Sequence, residues 1–341
     1  MKKVICMILA AMMIVTLAAC GSKEEAPPPE APAEAETPAK TPEEQPLEPT
    51  GEANIYLLPK STTSNYWRTV MAGAEAAAKE LGITITTLAP TDETADGQVT
   101  CIQQAVNAGA TAIVLAPIDA DALINACKEA QDAGVAIVLV DSMINSEDYS
   151  VAYATDNYQA GVLAAQCMAE GIGKAGKVYI QNSVAASSTC VDREQGFTDT
   201  MKQEFPEIEI LGTVFSNNDS LTAANQTADI ITANPDIAGI YSCNANTGTG
   251  VGTSVKESGK DIKIVSIDSN SDLIAFLEEQ VVTNLILQSP YAMGYEGVKG
   301  AYDLSGGKEM PQEVIDTGVT MADFENKDTE EIQKLFYPLG K

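Results

Sequence analysis

Histidine is absent from this sequence of 341 residues. Its absence excludes a Ser-His-Asp triad, a Cys-His nucleophile pair and a zinc site built on the commonest protein ligand of zinc. An enzyme is still possible, but by fewer chemical routes.

Basic residues are scarce, with 20 Lys and Arg against 48 Asp and Glu, and the net charge is −28. A nucleic-acid partner requires a basic surface, so we expect none. A charge of this size keeps an exported protein soluble.

Paired cysteine motifs are also lacking. Five cysteines follow Cys20, an odd number, and no CxxC spacing occurs among the seven in the chain. This pattern supports neither a disulfide framework nor a zinc knuckle. Cys101 and Cys127 could pair if their helices are neighbours; otherwise they are buried thiols.

The N-terminus has the pattern of a targeting segment. Lys2 and Lys3 precede an uncharged run from Val4 to Ala19, which fits a secretory signal better than a membrane span. The run ends in LAAC and resembles the lipobox of bacterial lipoproteins. The resemblance implies a signal peptide over 1–19, cleavage before Cys20 and lipidation of its thiol, with enough acyl chain for stable anchoring.

Residues 20–52 are expected to form a tether behind this anchor. Eight of the sixteen prolines and nine glutamates fall between positions 21 and 52. Such a composition cannot build a core, which predicts disorder.

Short apolar runs then alternate with alanine-rich stretches. NIYLL, ITITTL, TAIVLA and VAIVLV have the pattern of buried parallel strands, and helices are predicted over 65–81, 96–108 and 119–133. This alternation predicts a doubly wound α/β sheet.

A second series repeats the first, with KVYIQN, IEILGTVF, IAGIYS and IKIVSID as strands. Gly73 lies 68 residues before Asp141, and Gly196 lies 72 before Asp268. We therefore predict two similar doubly wound parallel-sheet lobes joined by a three-strand hinge. The N-terminal lobe comprises 53–155 plus 289–317. The C-terminal lobe comprises 156–288 plus 318–341, with a short helix at EEIQKLF.

Ligands of such sheets bind beyond the carboxyl ends of the strands. Polar and aromatic side chains are expected there in both lobes. They are Lys60, Ser64, Tyr66, Trp67, Asp141, Ser142, Asn218, Asn244 and Asp268, together with Arg193 on a helix and Gln288 at the end of NLILQ. Carboxylates, amides and a guanidinium bind hydroxyl groups, and an aromatic face packs on a sugar ring.

These segments resemble the ribose-binding type of bacterial sugar-binding proteins, whose fold is shared by lactose-repressor-type regulators. The resemblance covers about residues 53–320. It is carried by PKSTTSNYWRTVMAGAEAAAKELG, APIDADAL, VLVDS, TDNYQAG, RxxGF with Arg193 and Phe197, IVSID and LILQSP. It implies the type I periplasmic binding protein fold.

The family's ligand-binding positions can be matched one by one. Its first-loop amide and two aromatics fall on Ser64, Tyr66 and Trp67, and its Asp-Arg pair falls on Asp141 and Ser142. The remaining positions fall on Arg193, Asn218, Asn244, Asp268 and Gln288. Ser64, Ser142 and Asn218 depart from the family pattern, and Lys60 is expected to reach into the pocket. These departures favour a hexose or polyol over a pentose.

The resemblance implies capture of a sugar outside the cell membrane and delivery to an ABC permease by a lipid-anchored monomer. If the cell has an outer membrane, the protein lies in the periplasm. No cofactor, metal or catalytic residue is expected. A sensor for a furanosyl autoinducer is the alternative function. A glycosidase using Asp141 and Asp268 is a further alternative, which nothing in the sequence favours.

Three motif matches are interpreted as accidental. GIGKAG at 171–176 precedes a strand, whereas a dinucleotide loop follows one. TGTGVG at 247–252 has the wrong spacing for a phosphate-binding loop. The Asp268–Glu279 segment resembles a calcium loop but has Leu273 where glycine is required.

Overall fold

The computed structural model describes residues 53–340. The predicted signal peptide, the lipidation of Cys20 and the tether lie outside this range. Within it, no helix is both long enough and apolar enough to cross a membrane.

The first half of the described chain alternates strands with helices. Its elements are β1 (Ile55–Leu58), α1 (Asn65–Leu81), β2 (Ile85–Thr87), α2 (Ala95–Asn107), β3 (Ala112–Leu115), α3 (Ile124–Asp132), β4 (Ala136–Val140) and β5 (Val151–Ala154). The four predicted strands and three predicted helices of this half are present, although α3 begins later than predicted.

The second half repeats the alternation. It comprises α4 (Asn157–Gly171), β6 (Gly176–Asn182), α5 (Ser188–Glu204), β7 (Ile208–Phe215), α6 (Ser220–Ala233), β8 (Ile237–Ser242), α7 (Ala245–Ser258), β9 (Lys263–Ile267), α8 (Ser271–Glu278) and β10 (Asn284–Leu287). The chain ends with α9 (Pro290–Ser305), β11 (Val314–Asp316), β12 (Thr320–Ala322) and α10 (Glu330–Phe336).

The strands form two six-stranded sheets of corresponding order. One sheet runs β11-β5-β4-β3-β1-β2 and the other β12-β10-β9-β8-β6-β7. Within residues 53–340, paired strands are parallel apart from β10 with β12. The chain passes from one sheet to the other after β5, after β10 and after β11. Two doubly wound lobes are therefore confirmed.

Each sheet is covered on both faces, because successive side chains of a strand point to opposite sides. In β3, Val114 belongs to one hydrophobic cluster and Ile113 to another on the opposite face. In β8, Ile240 and Tyr241 are divided in the same way. This explains the near-continuous apolar strand sequences.

Helix α3 begins later than predicted, at Ile124 instead of position 119. The Asp119 carboxylate accepts the backbone N–H groups of Asp121 and Ala122, both at 2.9 Å. These bonds hold a separate turn before the helix. Cys101 and Cys127 lie on α2 and α3 as free, buried thiols. Burial raises the pKa of Cys127 to about 12, so it is an unreactive core residue.

Two glycines at corresponding places allow pairs of helices to cross in close contact. A Cβ on Gly73 in α1 would lie 2.0 Å from the carbonyl oxygen of Tyr291 in α9. A Cβ on Gly196 in α5 would lie 2.1 Å from the carbonyl oxygen of Tyr158 in α4. These same glycines mark the internal repeat of the sequence.

We expect Gly196→Ala to lower the stability of the protein by about 1–3 kcal/mol, because helices α4 and α5 must separate to admit the methyl group. Thermal unfolding without sugar measures the effect. Gly171→Ala, on the neighbouring helix α4, is the control, since its Cβ would approach nothing closer than 3.7 Å. Equal melting temperatures for the two variants would contradict the proposed reason for this glycine.

Candidate functional site

Three predicted site residues lie around Asp141 near the carboxyl ends of β1 and β4. Tyr66 donates its hydroxyl to Asp141 Oδ1 at 2.6 Å, and Lys60 Nζ lies 3.0 Å from Oδ2. The Ser142 hydroxyl lies 2.5 Å from Oδ2 and also 2.5 Å from Lys60 Nζ. Lys60 therefore supplies a cation beside Ser142, where the family has an arginine.

Charge at this cluster is set by competing effects. Burial would raise the pKa of Asp141, but Lys60, Ser142 and Tyr66 outweigh it and hold that pKa below its ordinary value. Burial and the neighbouring Asp141 raise the pKa of Tyr66 well above its ordinary range. Asp141 is thus a carboxylate at neutral pH, and Tyr66 is a neutral hydroxyl.

The two aromatics at the start of α1 have different environments. Trp67 is 8% exposed and packs in the core of its lobe with Val70, whereas Tyr66 is half-buried. Their rings meet edge to face with centroids 5.0 Å apart, and Lys60 Nζ lies 5.6 Å from the centre of the Trp67 ring. Much of the tryptophan surface therefore serves packing.

Ser64 caps the helix that carries these aromatics. Its side chain accepts the backbone N–H of Trp67 at 3.3 Å. Serine is among the residues preferred at the N-terminal capping position of a helix.

Arg193 provides the buried cation of the second lobe and is 3% exposed. Its Nε donates to Asn157 Oδ1 at 2.8 Å, and Nη1 donates to the Cys243 carbonyl at 2.9 Å. Burial would lower its pKa, but attraction to Asp268 and, less strongly, to Asp141 raises it. The guanidinium is therefore influenced by the carboxylates of both lobes.

Asp268 is the counterpart of Asp141 at the end of β9. Both have left-handed backbones, with φ of 68° and 67° respectively. Gln288 Nε2 donates to Asp268 Oδ1 at 2.6 Å. Burial raises the pKa of Asp268 even though Arg193 and Gln288 oppose the shift. The two related aspartates thus differ in how well their charge is stabilised.

Asn244 and Asn218 bind mainly each other and their own lobe. Asn244 Nδ2 donates to Asn218 Oδ1 at 2.9 Å and to Ser183 Oγ at 3.1 Å. Asn244 also caps α7, accepting the Thr247 N–H at 3.0 Å. Their hydrogen bonding is therefore largely used within the protein.

Two contacts were missed by the sequence reasoning. Asn157 positions Arg193. Asn157 lies in the TDNYQAG segment, but the sequence did not predict it as a site residue. Ser188 joins the two lobes, because its Oγ accepts the Met143 N–H at 3.1 Å and lies 3.4 Å from the Met143 carbonyl. No local pattern indicates a contact between segments so far apart in the chain.

Charge in the cleft is balanced. Lys60 and Arg193 supply two cations, and Asp141 and Asp268 supply two carboxylates. Among the described residues there is also no group of three or more acidic or cysteine side chains placed to hold a metal ion. The arrangement offers both hydrogen-bond donors and hydrogen-bond acceptors to an uncharged, hydroxyl-rich molecule.

Comparison with known proteins agrees with this geometry. Residues 55–309 match the family model described as a periplasmic binding protein domain. The chain belongs to this family. A ribose import binding protein of Bacillus subtilis is 24% identical over 258 residues, covering 75% of this chain and 83% of that protein. A D-apiose import binding protein of Actinobacillus succinogenes is 30% identical over 219 residues, covering 63% and 70%.

Solved structures of the family extend the match. An ABC transporter solute binding protein from Agrobacterium vitis, solved with bound D-fucose, is 34% identical with a TM-score of 0.80. The alignment covers 84% of this chain and all of that one. The predicted sugar-binding family and its two-lobed fold are confirmed, and the relatives are binding proteins of import systems instead of enzymes.

Proposed function

We propose that this protein captures a monosaccharide, namely a hexose, pentose or polyol, between its two lobes and delivers it to an ABC importer. One observation carries the proposal: Asp141, Lys60 and Tyr66 of one lobe face Arg193 and Asp268 of the other across a charge-balanced cleft. Charge-assisted hydrogen bonds to sugar hydroxyls are strong in such a buried setting.

Binding would be coupled to closure of the two lobes about the three chain crossings that join them. One lobe comprises 53–155 plus 289–317, and the other comprises 156–288 plus 318–341. Groups of both lobes contact one sugar only when the cleft is closed, so the sugar shifts the population toward that form. The Ser188–Met143 contact would stabilise the same form.

The N-terminal sequence pattern supports a proposed location of this activity at a membrane. A lipid on Cys20 and the tether over 20–52 would hold a monomeric binding protein near its permease, facing outside the cell. Because the matched relatives are named for import, we favour transport over the sensing of an autoinducer.

The first test is a thermal-shift screen of the purified protein against D-ribose, D-apiose, D-fucose, D-allose, D-arabinose and myo-inositol. A ligand that binds only the folded state raises the melting temperature. We expect one or a few of these sugars to do so by several degrees at millimolar concentration. A sugar acid such as D-galacturonate is the matched control, because its extra charge would be unpaired in the cleft. No shift with any neutral sugar would contradict the proposed function.

A further inference from the structure

A pocket of about 150 Å³ lies beside the cleft, between the start of α1, the start of α8 and the end of α10. It shares Tyr66, Asp268 and Gln288 with the cleft. One water molecule occupies only about 10–15 Å³ of such a cavity, so the pocket has room for a much larger group.

The pocket has one polar and one apolar side. Asn65 and Ser269 provide an amide and a hydroxyl group, while Ile274 and Phe336 provide apolar surface. A sugar ring has the matching pair of properties, with hydroxyls at its edge and C–H groups on its face. A purely apolar group would offer no hydrogen bond to the amide of Asn65 or to the hydroxyl of Ser269.

Within residues 53–340, Gln288 has an unpaired polar atom at the border between the cleft and this pocket. Its Nε2 donates to Asp268, but its Oε1 is buried without a hydrogen-bond partner in the part of the chain described. The residue is 4% exposed and lines the pocket. Buried amide oxygens almost always accept a hydrogen bond, so a ligand hydroxyl at this border would complete the arrangement.

We propose that this pocket is a second subsite, which receives a second sugar ring linked to the monosaccharide in the cleft. The proposal rests on the proposed function, since the first ring must lie between Asp141 and Arg193. The ligands then include disaccharides or glycosides as well as the free monosaccharide.

Calorimetric titration tests the subsite with defined probes. They are the monosaccharide that binds in the screen, its methyl and phenyl glycosides of both anomers, its mono-O-methyl ethers, and lactose, melibiose and maltose. We expect at least one substituted probe to bind within about tenfold of the free sugar, since a substituent directed into the pocket meets open space.

Ser271→Trp separates the pocket from the cleft. Ser271 is exposed, lines the pocket and is the first residue of α8 after the capping residue Asn270. An indole there would fill the pocket and weaken the substituted probes by at least about 30-fold, leaving the free sugar within about threefold. Ser220→Trp is the matched control, because Ser220 is the first residue of α6 after the cap Asp219 and does not line this pocket.

The outcomes distinguish the two proposals. If the free sugar binds and every substituted probe is at least 100-fold weaker, the subsite is wrong and the proposed function stands. If a phenyl glycoside binds but no second sugar ring is accepted, the pocket takes an apolar group and the proposal is also overturned. If no probe binds, both proposals fail.

Discussion

Asp141→Asn is expected to lower both the stability and the sugar affinity of the protein, whereas Asp268→Asn is expected to lower only the affinity. The asparagine side chain keeps the shape of aspartate and tolerates the left-handed backbone at both positions. The substitutions therefore isolate the effect of the negative charge.

The difference in stability follows from the opposite pKa shifts of the two carboxyl groups. Asp141 has a folded-state pKa below its unfolded value, so its charge stabilises the fold at neutral pH. That contribution is lost as the pH falls through the folded-state pKa. Asp268 has a raised pKa, so its effect favours folding at low pH and is lost as the pH rises through that pKa.

Urea unfolding at pH 7 without sugar measures this pair of variants. We expect Asp141→Asn to lose about 2 kcal/mol, because Lys60, Tyr66 and Ser142 lose a charged acceptor. The free energy of unfolding of Asp268→Asn should equal or exceed that of the wild type. Calorimetric titration should show about 100-fold weaker sugar binding in each variant, or about 3 kcal/mol.

Asp132→Asn is the control for this pair, since Asp132 is on the surface and pairs with Lys128 four residues earlier. It should change neither property. A greater stability loss in Asp268→Asn than in Asp141→Asn would contradict the assigned charge balance.

Arg193→Met is expected to abolish detectable sugar binding and to lower the melting temperature by roughly 5–10 °C. Removal of the guanidinium leaves Asn157 Oδ1 and the Cys243 carbonyl without a strong donor. It also removes the cation that most strongly favours the charged form of the buried Asp268 carboxyl group.

The double variant Arg193→Met with Asp268→Asn tests whether the charges of Arg193 and Asp268 are energetically coupled. It should recover part of the melting temperature without recovering sugar binding, because the uncompensated charge is removed while the donor to the sugar is still missing. Arg68→Met, at an exposed position of α1, should behave as wild type. A double variant no more stable than Arg193→Met would refute coupling between these residues.

The fold was predictable because its strands are short, apolar and bounded by turn residues. VAIVLV and IAGIYS have the composition of buried strands. The positions of Gly73 and Gly196 indicated the internal repeat. The boundary of α3 was not predictable, since a carboxylate such as Asp119 can cap a helix or a single turn with the same atoms.

The site was predictable to the extent that strand ends determine position. Lys60, Asp141 and Asp268 follow strand ends for this reason, whereas Arg193 extends from helix α5. The bonds between side chains were not predictable: Asn244 looks the same in sequence whether its amide meets a ligand or Asn218. The pairing of Ser188 with Met143 depends on how two lobes meet, which no local pattern records.

Calorimetric titration of one sugar into the wild type, Asp141→Asn and Arg193→Met tests most directly whether the ligand is held between the lobes. We predict one sugar per wild-type chain, with affinity lost in both variants although the two residues belong to different lobes. Full affinity in either variant would mean that the sugar binds to one lobe alone, and would contradict the account.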